Sequence, residues 1–143
     1  MMRKANRRCR ERGAALIEAA VTIPMILLIS VGIFEFGRAY QTWQVLTNAA
    51  REGARMAVIE GPTDGDVRDR VNGYLAGGGL SKLADGNILI NRTVPLGTAT
   101  ASKVTVNYPF KFMVLNPVVK LVVKTATTGS DITMSATTLM RNE

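Results

Sequence analysis

The chain reads as α+β: a long N-terminal helix, transmembrane at first and then a stalk, packed on a small antiparallel sheet of three or four strands. Three observations predict this. A basic block, Arg3 to Arg12, precedes sixteen uncharged and mostly apolar residues, Ala19 to Phe34. Helical spacing of apolar residues then continues to about Ile59 and stops at Gly61-Pro62. Beyond Gly77-Gly78-Gly79 the residues alternate as half-buried strands do. Four parts follow: a leader at 1–13, a membrane helix at 14–36, a stalk at 37–60 and an exported head at 61–143.

The leader carries most of the charge. Arg3, Lys4, Arg7, Arg8, Arg10 and Arg12 against Glu11 leave +5 of the chain's +7 in the first thirteen residues. A basic block ahead of an apolar helix is retained in the cytoplasm while the rest crosses. No recognition fold or aromatic stacking platform accompanies it, so nucleic acid is not expected as a partner. Cys9, the sole cysteine, rules out an internal disulfide, and it has no apolar region before it as a lipobox would. The absence of histidine removes Ser-His-Asp and Cys-His chemistry and the usual zinc ligands.

From Ala14 to Phe34 the chain has 21 residues with one charge, Glu18. As a helix this is about 31 Å, close to the hydrocarbon thickness of a bilayer. A removed secretory signal would be shorter and would end in a small-x-small site. Here the pattern runs on through Phe34, Phe36, Tyr40 and Trp43, aromatics suited to the outer interface. Pro24 removes the bond to the Ala20 carbonyl, which makes it either an ordinary kink or a hinge used during packing. Glu18 is costly within lipid. Either it reaches the inner headgroups, or it neutralises a new amine on Ala14 of a neighbouring subunit after cleavage behind Gly13.

The stalk places Ala39, Trp43, Leu46, Ala50, Ala54 and Ala57 on one stripe, with Ala49, Gly53 and Ala57 repeating every four residues. Trp43, Leu46, Ala50, Gly53, Ala54 and Ala57 are the expected helix-packing residues, against the chain's own sheet or against neighbouring subunits. Glu35 with Arg38, and Glu52 with Arg55, are spaced to pair along the helix. Asp64 or Asp66 is expected to cap a second helix to about Ala76, with Val67, Val71, Tyr74 and Leu75 facing inward. The candidate strands are 88–94, 103–108, closed by Pro109, and 132–140. Residues 118–123 make a fourth strand or a short helix. The glycine run lacks a following Gly-Lys-Ser/Thr, so it is no phosphate loop. Asp64, Asp66 and Asp69 lack a full calcium-ligand pattern. No enzyme, metal, cofactor or small-molecule substrate is expected.

The order of these motifs carries a resemblance. A basic leader ending in Gly13, with Glu18 at the fifth position after it, resembles the class III leader of type IV prepilins. Gly-Ala-Ala-Leu-Ile-Glu-Ala-Ala-Val-Thr-Ile-Pro (13–24), Phe-Glu-Phe-Gly-Arg-Ala (34–39), Leu-Thr-Asn-Ala-Ala-Arg-Glu-Gly-Ala-Arg (46–55) and the terminal Met-Arg-Asn-Glu (140–143) look like TadE-like pseudopilins of tight-adherence (Flp/Tad) pilus systems. The resemblance implies a type IV pilin-like fold and a bacterial inner-membrane protein whose head is periplasmic. Its implied partners are a prepilin peptidase cutting between Gly13 and Ala14, other pilins or pseudopilins, and inner-membrane lipid. Incorporation into an extracellular pilus is implied as well. Ala14 in place of the phenylalanine of major type IVa pilins, and Ala19 in place of the tyrosine of major Flp pilins, mark a minor subunit. The alternative is an uncleaved single-pass anchor whose head binds a partner or the envelope.

Overall fold

The computed structural model describes residues 3–114 and 132–142, with side chains from Gly13 onward. Helix α1 (Arg3–Ala57) runs 55 residues, about 80 Å, and continues through Pro24. Its last part carries the head: helix α2 (Asp64–Gly77), a short 3-10 turn (Asp85–Asn87), and strands β1 (Ile88–Leu96), β2 (Ala99–Phe110) and β3 (Ile132–Arg141). The strands form an antiparallel meander in the order β1-β2-β3. Long apolar helix and small sheet give an α+β, pilin-like arrangement. The fourth candidate segment, 118–123, lies outside the described residues.

The core forms where one helix face and one sheet face cover each other. Leu46, Ala49, Ala50, Ala54 and Ala57 of α1 meet Val67, Val71 and Leu75 of α2, with Ile88, Val104, Val106 and Ala136 of the sheet below. Small residues on α1 bring the layers close. A Cβ on Gly53 would lie 2.6 Å from Val71 Cγ2 and 3.3 Å from Val104 Cγ1, so only glycine fits without displacement.

Chain reversals are locally encoded. Gly61, with φ of 113°, turns the chain between the helices. The cap of α2 is neither Asp64 nor Asp66 but Thr63, one residue earlier. Asp66 N–H donates to Thr63 Oγ1 at 3.3 Å and Thr63 N–H donates to Asp66 Oδ2 at 2.8 Å, a reciprocal capping box. At the far end Gly79 N–H donates to the Ala76 carbonyl and Leu80 N–H to the Leu75 carbonyl, with Gly79 at φ of 77°. This Schellman ending explains the last glycine of the run. A two-residue turn, Gly97-Thr98, joins β1 and β2, with Gly97 at φ of 62°.

Several expectations need correction. Trp43 is 47% exposed and Tyr74 is 43% exposed, so neither belongs to the core. The buried stripe continues from Leu46 back to Thr42, four residues away, not to Trp43. The inner face of α2 continues from Val71 to Leu75, and Asn72 is buried beside them. Glu52 pairs not with Arg55 but with Arg70 of α2, at 2.6 Å. Strand β2 extends through Pro109, which pairs with Thr133. Among the described residues, pairing with β1 ends at Val106, so Pro109 lies beyond the stretch of β2 that is flanked on both sides, a position a strand proline tolerates.

Candidate functional site

The apolar half of α1 is the first candidate surface. Leu16, Ile17, Val21, Ile23 and the run from Met25 to Ile29 are all more than half exposed, as is Phe34. Thr22 Oγ1 donates to the Glu18 carbonyl at 2.7 Å and Ser30 Oγ to the Ile26 carbonyl at 2.9 Å. Both hydroxyls are therefore satisfied within the helix, as an apolar solvent requires. It is the one described helix long and apolar enough to cross a membrane, and none of its most apolar stretch is buried by the head. Gly13, Ala14, Glu18 and Pro24 all lie on it and are exposed. The Gly13-Ala14 bond is helical, and among the described residues nothing outside the local helix backbone comes within 4 Å of a Cβ built on Gly13.

The second feature is a clasp at the end of the apolar run. Glu35 is fully buried. Its Oε1 accepts the backbone N–H of Val114 at 2.6 Å, and its Oε2 accepts Arg38 Nη2 at 3.0 Å. Arg38 also donates to the Lys111 carbonyl. Its guanidinium lies 4.5 Å from the centre of the Phe110 ring, which packs edge-on against Phe112. A carboxylate is tolerated here because both oxygens have charged or backbone donors. The Glu35–Arg38 spacing was legible in the sequence. The partner 79 residues further on was not, because no local pattern announces it.

A third cluster locks the other end of the helix. Between Asn91 and Val94 the β1 register shifts, so Arg92 and Thr93 together face Ser102. This bulge aims Arg92 at the end of α1. Its Nη1 donates to the Ala57 carbonyl at 3.0 Å, Nη2 to the Pro62 carbonyl at 2.8 Å, and Nε to Asp64 at 2.9 Å. Asn142 closes the network: its Nδ2 donates to the Arg92 carbonyl at 3.0 Å, and its Oδ1 lies 2.8 Å from Ser102 Oγ. This gives Asn142, within the C-terminal Met-Arg-Asn-Glu, a structural role. The aspartates singled out for a cation have separate partners. Asp64 meets Arg92, Asp66 is the N3 partner of Thr63 in the α2 capping box, and Asp69 lies 4.0 Å from Lys82. Thr63 hydrogen bonds to its side chain and through its backbone hold the Asp66 carboxyl below its ordinary value of 3.8.

Of the residues expected to pack the helix, Leu46, Ala50, Gly53, Ala54 and Ala57 are buried under the chain's own head. Trp43 faces out beside Tyr40, their ring centres 6.3 Å apart. A shallow groove of about 680 Å³ runs between α1 and α2, with Gln44, Val45 and Asn48 on one side and Gly73, Tyr74 and Gly77 on the other.

Among the described residues, one long apolar helix carries a small α+β head at one end, which points to a membrane-anchored, pilin-like protein. Within that class, residues 13–55 match the family model described as TadE-like protein, which bears out the resemblance over less than a third of the chain. The matched segment covers the apolar helix and most of its buried stripe. It points to a protein associated with a Tad-type pilus, with other pilus components as partners. Neither the curated proteins nor the solved structures contain a match.

Proposed function

We propose that this chain is a minor, non-enzymatic pseudopilin that takes part in assembling a Tad/Flp-type pilus from the bacterial inner membrane. The observation that carries this reading is one continuous helix that is bare and apolar from Leu16 to Phe34, buried by its own head further on, and TadE-like over residues 13–55. A bare apolar helix is stable in lipid, and it is also a surface that other such helices can cover. The basic leader stays in the cytoplasm and the head lies on the periplasmic side. A prepilin peptidase cuts between Gly13 and Ala14, and Glu18 of one subunit neutralises the new Ala14 amine of another. Pro24 supplies a point at which the helix can loosen as it packs. Because Gly13 lies within α1, the scissile bond must unwind before it enters a protease cleft.

That same helical state favours the second reading, an uncleaved anchor whose head binds a partner or the envelope. Mass spectrometry of the N-terminal peptide from native membranes separates the two. A chain starting at Ala14 supports the pseudopilin, and one starting at Met1 or Met2 supports the anchor. Gly13→Val is expected to abolish processing; normal maturation of that variant would refute the assigned cut.

A further inference from the structure

The apolar run of α1 ends at Phe34, and the next residue, Glu35, is already fully buried by the head. The Val114 N–H bond to Glu35 therefore brings the segment after β2 down to the last apolar turn of the helix. Large apolar side chains are exposed around this level: Phe34 at 61%, Phe36 at 72%, Met113 at 67% and Val114 at 38%. Ile132, 49% exposed, joins them because it pairs with Phe110, whose ring lies under Arg38. Three chain segments thus form one apolar rim, and it borders the span where α1 leaves water. At its opposite end the sheet closes in the Gly97-Thr98 turn, which is exposed.

We propose that this rim is a second membrane contact: Met113 and Val114, flanked by Phe36 and Ile132, seat in the boundary between headgroups and acyl chains. The occupant is lipid because the rim is continuous with the membrane-facing surface of the helix. Apolar groups beside a span lie at the depth where interfacial segments bury their apolar faces, roughly 5–10 Å into the headgroup–acyl boundary. The Glu35–Val114 clasp fixes this second contact to the helix, so the head stands on the bilayer at a set height and does not swing on a free stalk. The inference rests on α1 being a membrane helix, and its test separates the two claims.

The full chain with Cys9→Ser receives a single cysteine by Met113→Cys, Ile26→Cys or Thr98→Cys. Each variant carries an environment-sensitive fluorophore and is reconstituted in vesicles containing lipids with shallow or deep nitroxide quenchers. The expected result is loss of emission at 113 with the shallow quencher, loss at 26 with the deep quencher, and no loss at 98. Quenching at 26 with none at 113 would overturn the rim contact while leaving the membrane helix intact. No quenching at 26 would overturn both. A blue-shifted but unquenched label at 113, reverting to water-like emission as protein is diluted in lipid, would mean that a second copy covers the rim, and would also overturn the proposal.

Discussion

Gly53 stands where α1 meets both α2 and β2, and its missing side chain leaves room for Val71 and Val104. Gly53→Ala must displace Val71 or push the sheet away, and overpacking of this kind costs about 1–3 kcal/mol. Thermal melting of the full chain in detergent is expected to show a lower transition, and an unchanged one would mean that the layers are looser than described. Asp66 makes a pH-dependent contribution. Its carboxyl is held below the ordinary 3.8, so its capping stabilises the head above that value and is lost as pH falls through the lowered one. Wild type should exceed Asp66→Asn in urea resistance at neutral pH, with the gap closing in strong acid. A gap that persisted or widened there would contradict the capping role. The sequence pointed to Asp64 or Asp66 as the cap, and the geometry moves the cap one residue earlier, to Thr63, with Asp66 as its reciprocal partner.

At the scale of elements, two polar side chains do what apolar packing alone cannot. Asn72, buried in α2, donates from Nδ2 to the Leu83 carbonyl at 3.3 Å and accepts the Leu83 N–H at 2.8 Å, pinning the connection from α2 to β1. Asn72→Ala leaves a buried donor and acceptor unpaired, at a cost of about 1–3 kcal/mol. Faster hydrogen exchange at Leu83 is the expected signature, and unchanged exchange would assign the connection to other contacts. Arg92 similarly joins the end of α1 to the start of α2. Arg92→Leu is expected to expose residues 58–63 to limited proteolysis without altering the cutting pattern elsewhere; protection equal to wild type would remove that role.

The elements themselves were largely legible, and the reasons differ. An apolar run and 3.6-residue spacing announce α1 directly, and alternation announces β2. The errors lie where two neighbouring positions suit the same period. Trp43 and Thr42 are three and four residues from Leu46, and the wider ring is the natural choice, yet the smaller threonine is the one covered. Tyr74 and Leu75 pose the same ambiguity next to Val71. The clasp at Glu35 and the bulge that aims Arg92 join residues far apart in the chain, and such pairings leave no trace in a single sequence.

For the molecule as a whole, the division of α1 into a bare half and a covered half is the central physical fact. The head removes its own stripe from solvent, so the surface left for lipid or other subunits is the apolar half together with its aromatic margin at Phe36, Tyr40 and Trp43. Glu18 is the one charge on that bare half, exposed on the helix. Glu18→Ala is therefore expected to leave membrane insertion and export intact but to reduce recovery of pilus subunits with the protein. Normal piliation and normal co-purification in that variant would remove the amine-neutralising role.

The most direct measurement is the sidedness of the head. With Cys9→Ser and Thr98→Cys, a membrane-impermeant maleimide is added to intact spheroplasts of cells expressing the full chain. Residues 14–34 crossing the bilayer, with the leader inside and the sheet beyond, require labelling at Thr98→Cys without permeabilisation and retention of the labelled chain in the membrane pellet. Labelling only after lysis, or a labelled chain free in the soluble fraction, would contradict that arrangement.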